Sequence, residues 1–583
     1  MKPFLIVLFC ILGGFAQAAD KPNIIVIYTD DHGFADLGIR GVEKDVKTPH
    51  LDALARSGVI AKNGYSTAPQ CVPSRGGLMT GKFQGRFNLD NNGSALEGFN
   101  KETTIATRLQ NAGYTTAQFG KWHLGPQSEI PKHGFKHVYS QHGQQKFPAN
   151  ITLEGKDRPM GDMPSKVYHV DGCAKAAASI IERYKEQPFF LYIAFRAPHT
   201  PLDAPQSYKD RFPGEMPERR RAALGMLAAV DDGVGLVTST LKKNGLSEKT
   251  LIFFIGDNGA PLKIHKTDSP LEGDAGGWDG SLNTPLNGEK GMLAEGGMHV
   301  PFLIAWPGTI PGGQTYEHPV SALDVAATAA AMADIAVKPG DLDGVNLVPY
   351  LKGEITTPPH EALMWRWMAQ SAIREGNWKL LRGGEREYLY ELATDLEEKH
   401  NLASQHPDVA ARLRTKLTSW CAELNPPGLA LGPMSPVWND YFDFYLEGKP
   451  APKPEAEPNT SATRGWLARG GRLIEKEGVL VLTPDKGGKG TFITRSQLKL
   501  AGPVTAKIIF KTAATGQGAI AWRMDGDKDF LPENRAPFEV KASEDWQTRE
   551  VQIPGKGRVI HVRLHLPAGN TEFRTIDLQP ASR

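Results

Sequence analysis

Cysteine is scarce, with four in 583 residues. That excludes a scaffold built on disulfides. Neither sign of charge dominates: 67 Lys+Arg face 65 Asp+Glu, for a net charge near +2. No polyanion-binding surface is therefore expected across the whole molecule, and nucleic acid is not an expected partner. After the first residues, no apolar run of spanning length stands out, so no membrane span is expected. There is no internal repeat. What remains is globular in character, at 40% hydrophobic and 23% charged residues, which argues against a disordered, collagen-like or coiled-coil chain. At ~100–200 residues per domain, the length suggests two to four domains.

Residues 1–18 read as an export signal. Lys2 gives a positive start, Phe4–Leu12 is a short apolar run, and Ala16-Gln17-Ala18 is a small-residue cleavage site. Cys10 suggests lipidation, but Phe9 is bulky where such signals carry a small residue. The mature chain is expected to begin near Ala19 and to be exported, either periplasmic or secreted. Its cysteines are then Cys71, Cys173 and Cys421, and the last two could pair in an oxidising compartment.

Residues 19–355 alternate strand-like and helix-like segments. Pro22–Tyr28 is an almost continuous apolar run, as for a parallel strand buried on both faces. Thr48-Pro49 opens a helix, with Thr48 as the cap and Leu51, Leu54 and Ala55 at helical spacing. Further strands are expected at Thr115–Phe119, Phe189–Phe195, Leu251–Ile255 and Pro301–Trp306, with helices at Thr103–Ala112, Val170–Tyr184 and Arg219–Asn244. The pattern predicts an α/β fold with a mostly parallel central sheet flanked by helices. Residues 356–447 read as a small antiparallel α+β subdomain, with strands in Ser371–Leu381 and Glu387–Leu392 and a helix over Pro407–Leu424. Residues 448–462 are a Pro-rich linker. Residues 463–583 alternate short β-like runs with Gly, Pro, Asp and Lys, which predicts a C-terminal β-sandwich.

The chemistry sits where the core strands end. Four apolar strands run into Thr29-Asp30-Asp31, Gly120-Lys121-Trp122-His123, Arg196-Ala197-Pro198-His199 and Gly256-Asp257-Asn258-Gly259. In open α/β sheets, ligands bind at the carboxyl ends of the strands. Asp30, Asp31, Asp257 and Asn258 are hard oxygen donors with no Cys/His zinc pattern beside them, which suits Ca2+ or Mg2+. Three clustered carboxylates also require a cation or nearby Arg and Lys to offset their repulsion. In Cys71-Val72-Pro73-Ser74-Arg75, Pro73 and Ser74 suit a helix start with Arg75–Thr80 as its first turns, and the free N–H groups there would hold a tetrahedral oxyanion.

Cys71-x-Pro73-Ser74-Arg75 followed by Thr80-Gly81 resembles the signature of type I, formylglycine-dependent sulfatases of the alkaline-phosphatase superfamily. Gly120-Lys121-Trp122-His123-Leu124-Gly125 resembles the family's second signature, and Asn287–Gly291 with Glu295-Gly296-Gly297 resembles a third segment. The resemblance covers residues 21–425. It implies an arylsulfatase-like sulfuric ester hydrolase in which a formylglycine-generating enzyme converts Cys71 to Cα-formylglycine. It also implies metal ligands Asp30, Asp31, Cys71, Asp257 and Asn258, usually around one Ca2+. By the same resemblance, Arg75 orients the nucleophile, Lys121 binds sulfate and His123 removes a proton from the second hydroxyl. His199 stands near the leaving oxygen, and Lys290 bridges sulfate and leaving group. One further sulfate contact often lies in the stretch after His123 in that family, where His133, His137 and His142 are all candidates.

Two other readings remain open at this level. One is a phosphate or phosphonate ester hydrolase of the same superfamily. The other is a non-catalytic glycan-binding protein. Export and an appended β domain suit a sulfated polysaccharide or oligosaccharide as substrate. Asp268–Asn287, with Trp278, is expected to shape the leaving-group pocket. In the β domain, Trp466, Trp522 and Trp546 could stack on sugar rings, although burial in the core is the ordinary role of such residues.

Overall fold

The computed structural model describes residues 21–262, 264–265, 271, 277–278, 280–429, 434–451, 463–485, 490–496, 498–525, 527, 530–555 and 557–580. The export signal, most of the linker and part of the Asp268–Asn287 loop (268–270, 272–276 and 279) lie outside the described residues. The chain divides into two compact units, Met1–Pro452 and Lys453–Arg583.

A ten-stranded mixed sheet forms the centre of the first unit. Its order is Gln314–Tyr316, Val59–Ala61, Phe302–Ala305, Thr250–Gly256, Asn23–Asp30, Phe189–Pro198, Thr115–Gly120, His137–Tyr139, Phe147–Ile151 and Asp157–Met163. The middle of the sheet is parallel: Asn23–Asp30 lies between Phe189–Pro198 and Thr250–Gly256, and Phe189–Pro198 pairs in turn with Thr115–Gly120. Antiparallel pairing enters towards both sides. Phe302–Ala305 runs against Thr250–Gly256, and the last two strands form antiparallel pairs. The four strands that carry the predicted motifs are therefore adjacent and point the same way.

Alternation explains why these strands are apolar throughout. Ile25 and Ile27 pack on one face with the helices His169–Arg183 and Glu218–Lys243. Ile24, Val26 and Tyr28 pack on the other with residues of the helices Cys71–Thr80 and Asp324–Met332. Every residue of Asn23–Asp30 is buried. Glu218–Lys243 is a correction to the sequence reading, because by length and composition it is apolar enough to cross a membrane. Most of that stretch is buried within the protein, so its hydrophobicity is accounted for by the core.

Some boundaries shift for local reasons. The helix at Pro49–Arg56 lacks the expected side-chain cap from Thr48. The Thr48 hydroxyl instead accepts from Gly38 N–H and donates to Asp52, while Asp231 accepts the N–H groups of His50 and Leu51. The signature helix begins at Cys71, two residues earlier than expected. Ser371–Leu381 is two strands, Gln370–Glu375 and Trp378–Gly383, joined by a turn with Gly376 at φ 58°. With Leu363–Trp367 and Arg386–Glu391 they form a four-stranded antiparallel sheet covered by the helix Pro407–Cys421. Cys173 and Cys421 are both free and buried, in separate cores, so the possible disulfide does not form.

The second unit is a sandwich of a six-stranded and a five-stranded sheet, all antiparallel. Trp466 and Trp522 lie in its core at 1% and 3% exposure, which removes them as sugar platforms.

Candidate active site

The parallel strands deliver their terminal residues to one place. Donor atoms of Asp30, Asp31, Cys71 and Asp257 lie within 4.8 Å of one another, and His199 joins Asp30 and Cys71 within the same limit. Two non-glycine residues at these strand ends, Asp31 and His123, hold the left-handed backbone conformation at φ 58° and 62°. Such strain costs on the order of 1–3 kcal/mol and collects at functional sites, where the surrounding fold enforces it. Gly259 follows Asn258 because a Cβ there would lie 1.8 Å from the carbonyl oxygen of Gly296. That contact packs the Asp257-Asn258 strand end against the Glu295-Gly296-Gly297 segment.

Arg75 is the electrostatic centre. It is fully buried, donates to Asp257 at 2.8 Å and lies 3.6 Å from Asp30. Its other nitrogen donates to the Lys121 carbonyl and the Tyr192 hydroxyl, and its guanidinium sits 5.4 Å from the Tyr28 ring centre. Lys121 pairs with Asp30, and Lys290 pairs with Asp31 at 2.8 Å. Burial alone would favour neutral carboxyls. Against it, Lys121, His199 and Arg75 hold Asp30 well below the carboxylate range, and Lys290 and His199 lower Asp31. Asp257 goes the other way: burial and then Asp30 push it up to about 7 despite Arg75.

The donor set fits a hard cation. Asn258 donates its amide N–H to Asp31 at 2.6 Å, while its buried Oδ1 has no partner. An orphaned carbonyl oxygen beside three carboxylates is a ligand in need of a cation. The residues present therefore fit one Ca2+ or Mg2+.

Cys71 is fully buried, and its thiol donates to Asp30 at 3.2 Å. Burial and the Asp30 charge push its pKa well above the ordinary thiol value. A thiol held protonated in this way is a poor nucleophile. The expected free N–H groups at the helix start are mostly absent. Val72 N–H is taken by Asn92 Oδ1 at 3.0 Å, Pro73 has none, and Ser74 N–H already bonds Gln70 within the helix. Oxyanion binding here thus falls mainly to side chains.

His199 donates from Nδ1 to the Thr200 carbonyl at 2.6 Å, which directs Nε2 towards Asp31, 3.6 Å away. Burial outweighs the pull of Asp30 and Asp31 and pushes its pKa down to about 4. His123 is exposed on the segment that follows Lys121. Of the three further histidines, His133 stacks among Phe99 and Trp122, and His137 bonds the Tyr184 hydroxyl. His142 is held by Gln127 and the Ser140 carbonyl, and of the three it is the one whose pKa feels the charges of Lys121 and Asp30.

Trp278, expected from the sequence to line the pocket, is at the site, and further contributors carry no local sequence signal. The Lys290 ammonium faces the Trp278 ring at 5.5 Å, and that ring stands edge-on to His199 and His265. Gln370, from the small antiparallel sheet, donates to the Gly291 carbonyl at 2.8 Å and accepts from Leu293 N–H at 2.9 Å. It fixes the backbone next to Lys290 from eighty residues away. Buried Lys379 likewise pairs with Glu295 and Glu398 at 2.7 and 2.9 Å.

A family model described as Sulfatase matches residues 22–335, and one described as N-sulphoglucosamine sulphohydrolase, C-terminal, matches residues 288–423. The uncharacterized sulfatase YdeN of Escherichia coli (strain K12) is 29% identical over 505 residues, covering 70% of this chain and 86% of its own. The N-acetylgalactosamine-6-sulfatase of Mus musculus is 30% identical over 398 residues, covering 62% and 72%. Among solved structures, Ps i-CgsB superposes with a TM-score of 0.61 at 29% identity, covering 76% of this chain and 99% of that one. It has also been solved in complex with k-i-k-neocarrahexaose. The Sulfatase match spans more than half of the chain and contains all four strands that converge on the site. On that evidence the chain is an enzyme of the sulfatase family, within the alkaline-phosphatase superfamily.

Proposed function

We propose that this sulfatase removes sulfate from an exported sulfated polysaccharide or oligosaccharide, using a Cα-formylglycine made from Cys71 and one Ca2+ ion. The observation that carries this reading is the environment of Cys71. It is a protonated, fully buried thiol at a helix start, inside an oxygen-donor cage with an unpartnered Asn258 Oδ1. As a thiol it has little reactivity, and a formylglycine-generating enzyme acting during export would change that. The substrate class is supported by N-acetylgalactosamine-6-sulfatase among the relatives and by the k-i-k-neocarrahexaose bound to Ps i-CgsB.

Hydrated formylglycine supplies two geminal hydroxyls, one to attack sulfur and one whose deprotonation expels sulfate as the aldehyde reforms. A Ca2+ held by Asp30, Asp31, Asp257 and Asn258 would offset the carboxylate charge and polarise a sulfate oxygen. Lys121 and Lys290 flank the same carboxylates and are placed to hold the equatorial sulfate oxygens. Arg75 fixes Asp257 and the helix that carries residue 71. A sulfate ester is an anion, and bound beside His199 it raises the proton affinity of that ring. His199, with Lys290, then protonates the leaving alcohol oxygen, and His123 takes the proton of the remaining hydroxyl.

The direct test is the mass of the tryptic peptide containing Cys71, from protein purified out of its native host. Thiol-to-aldehyde conversion is expected to lower that mass by about 18 Da. An unchanged thiol in protein that turns over a sulfate ester would refute the formylglycine route. The cation has its own test that does not use activity. Calcium added to chelator-treated protein at 100 times its Kd should stabilise the fold by about 2.7 kcal/mol, read as a rise in Tm. Asn258→Leu should remove that rise.

A further inference from the structure

The outer faces of the two sandwich sheets differ in how their cations are balanced. On the five-stranded sheet, Lys507 faces Glu550 at 3.8 Å and Lys511 pairs with Glu572 at 3.1 Å. The Trp546 ring there is engaged by Arg574 and Lys511, at 4.4 and 5.5 Å. That face is close to charge-neutral.

The six-stranded sheet is built otherwise. Ile493, Ile520, Trp522, Val562 and Leu564 point into the core, so alternation turns Phe492, Arg523, His561, Arg563 and His565 outward. Arg563 lies between two rings, 5.1 Å from the centre of Phe492 and 3.9 Å from that of Phe530. Its buried Nε has no hydrogen-bond partner. Arg535 and Arg563 pair with Ala521 from its two sides, so one strand lies between them on the same face. Among the described residues, neither Arg563 nor Arg535 has an ion pair. The charged groups that act on His561 are Arg563 and Arg523, and those that act on His565 are Arg535 and Arg563. No described carboxylate acts on either ring, although exposed Glu533 stands two residues before Arg535 in the chain. Glu539, two residues beyond Pro537 on the same edge strand, is the nearest acid along that strand's outer face.

We propose that this face binds the sulfate groups of a sulfated glycan chain, with Arg563 and Arg535 as the principal contacts and the Phe492–His565 rings as the sugar-facing surface. Arg563 is pre-positioned by its two aromatic neighbours, so little side-chain entropy is lost on binding. A guanidinium with free N–H groups is a geometric match for a tetrahedral oxyanion. Phe492 and His565 lie beside it with ring centres 4.9 Å apart and planes tilted by 36°, so two rings border the guanidinium where a sugar could rest. The inference deepens the sulfated-glycan reading above and assigns the second unit the role of holding polymer.

The test uses the full chain carrying Cys71→Ala, so that binding is read without turnover. The probes are dextran sulfate and unsulfated dextran of equal length, followed by calorimetry at fixed ionic strength. Arg535→Gln with Arg563→Gln should weaken dextran sulfate binding about tenfold. Lys507→Gln with Lys511→Gln removes the same charge from the other sheet and should leave binding unchanged. Should Arg563→Gln fail to fold, exposed Arg535→Gln alone should still weaken binding about threefold. Equal loss from both double variants, no loss from either, or equally tight binding of unsulfated dextran would overturn the proposal. In the Cys71 enzyme, Arg535→Gln with Arg563→Gln should leave kcat/KM on a small aryl sulfate unchanged. Failure of the parent enzyme on that ester would count against the sulfatase mechanism, not against this site.

Discussion

Cys71→Ser should release alcohol about once per molecule and then stop, and Cys71→Ala should release none. The reasoning follows from the need for two hydroxyls on one carbon. A serine that attacks sulfur has no second hydroxyl to expel sulfate, so the enzyme is trapped as a stable sulfate ester. The expected loss of steady-state kcat is at least about 10⁴-fold for either variant, since a nucleophile is removed rather than a supporting contact. Stability should hardly change. Cys71 makes a single weak thiol hydrogen bond, and Cys→Ala removes only one buried sulfur. The measurement is product release against enzyme concentration, with Tm recorded in parallel. Continued turnover by Cys71→Ala at a parental rate would show that some other group attacks sulfur.

The second large effect is expected at Arg75. Arg75→Met leaves Asp257 and Asp30 buried without their guanidinium, and breaking a buried pair costs about 3–5 kcal/mol. At roughly 2–4 °C per kcal/mol, Tm should fall by about 6–20 °C. Activity should fall beyond detection, because the helix start that carries residue 71 loses its tie to Asp257. Arg75→Lys should not restore either property. An ammonium cannot hold Asp257, the Lys121 carbonyl and the Tyr192 hydroxyl together as the planar fork does. Arg75→Met combined with Asp257→Asn should recover part of the stability but none of the activity, since it removes the stranded charge along with a metal ligand. A single Arg75→Met variant that melts within a degree or two of the parent would show that the pair contributes little. Calorimetry and aryl sulfate turnover on the same preparations give both readouts.

Much of this molecule is legible in its residues. The apolar runs ending in Asp30-Asp31, Lys121-Trp122-His123, His199 and Asp257-Asn258 mark strands buried on both faces, and buried parallel strands deposit their final residues along one edge. Asp30, Asp31, Lys121, His199, Asp257 and Asn258 meet there because their positions follow from strand direction and strand length, whereas Cys71 and Arg75 arrive on a helix and Lys290 on a loop. The mixed character of the sheet is not legible in the same way. Phe302–Ala305 has the same apolar composition whether it pairs parallel or antiparallel, and its direction is set by the chain that returns it to Thr250–Gly256.

By itself the sequence determined which side chains end the core strands and that a helix follows the signature cysteine closely. It did so because periodicity and strand ends are local properties. Only the tertiary structure decided that Cys173 and Cys421 lie in separate cores, that Asn92 occupies a helix N–H expected to be free, and that His133 and His137 are tied up among Phe99, Trp122 and Tyr184. It alone brought Gln370 to the backbone beside Lys290 and left Arg563 between two rings with its Nε unpaired. Each of these depends on contacts between segments far apart in the chain, and no local pattern of residues encodes such a meeting.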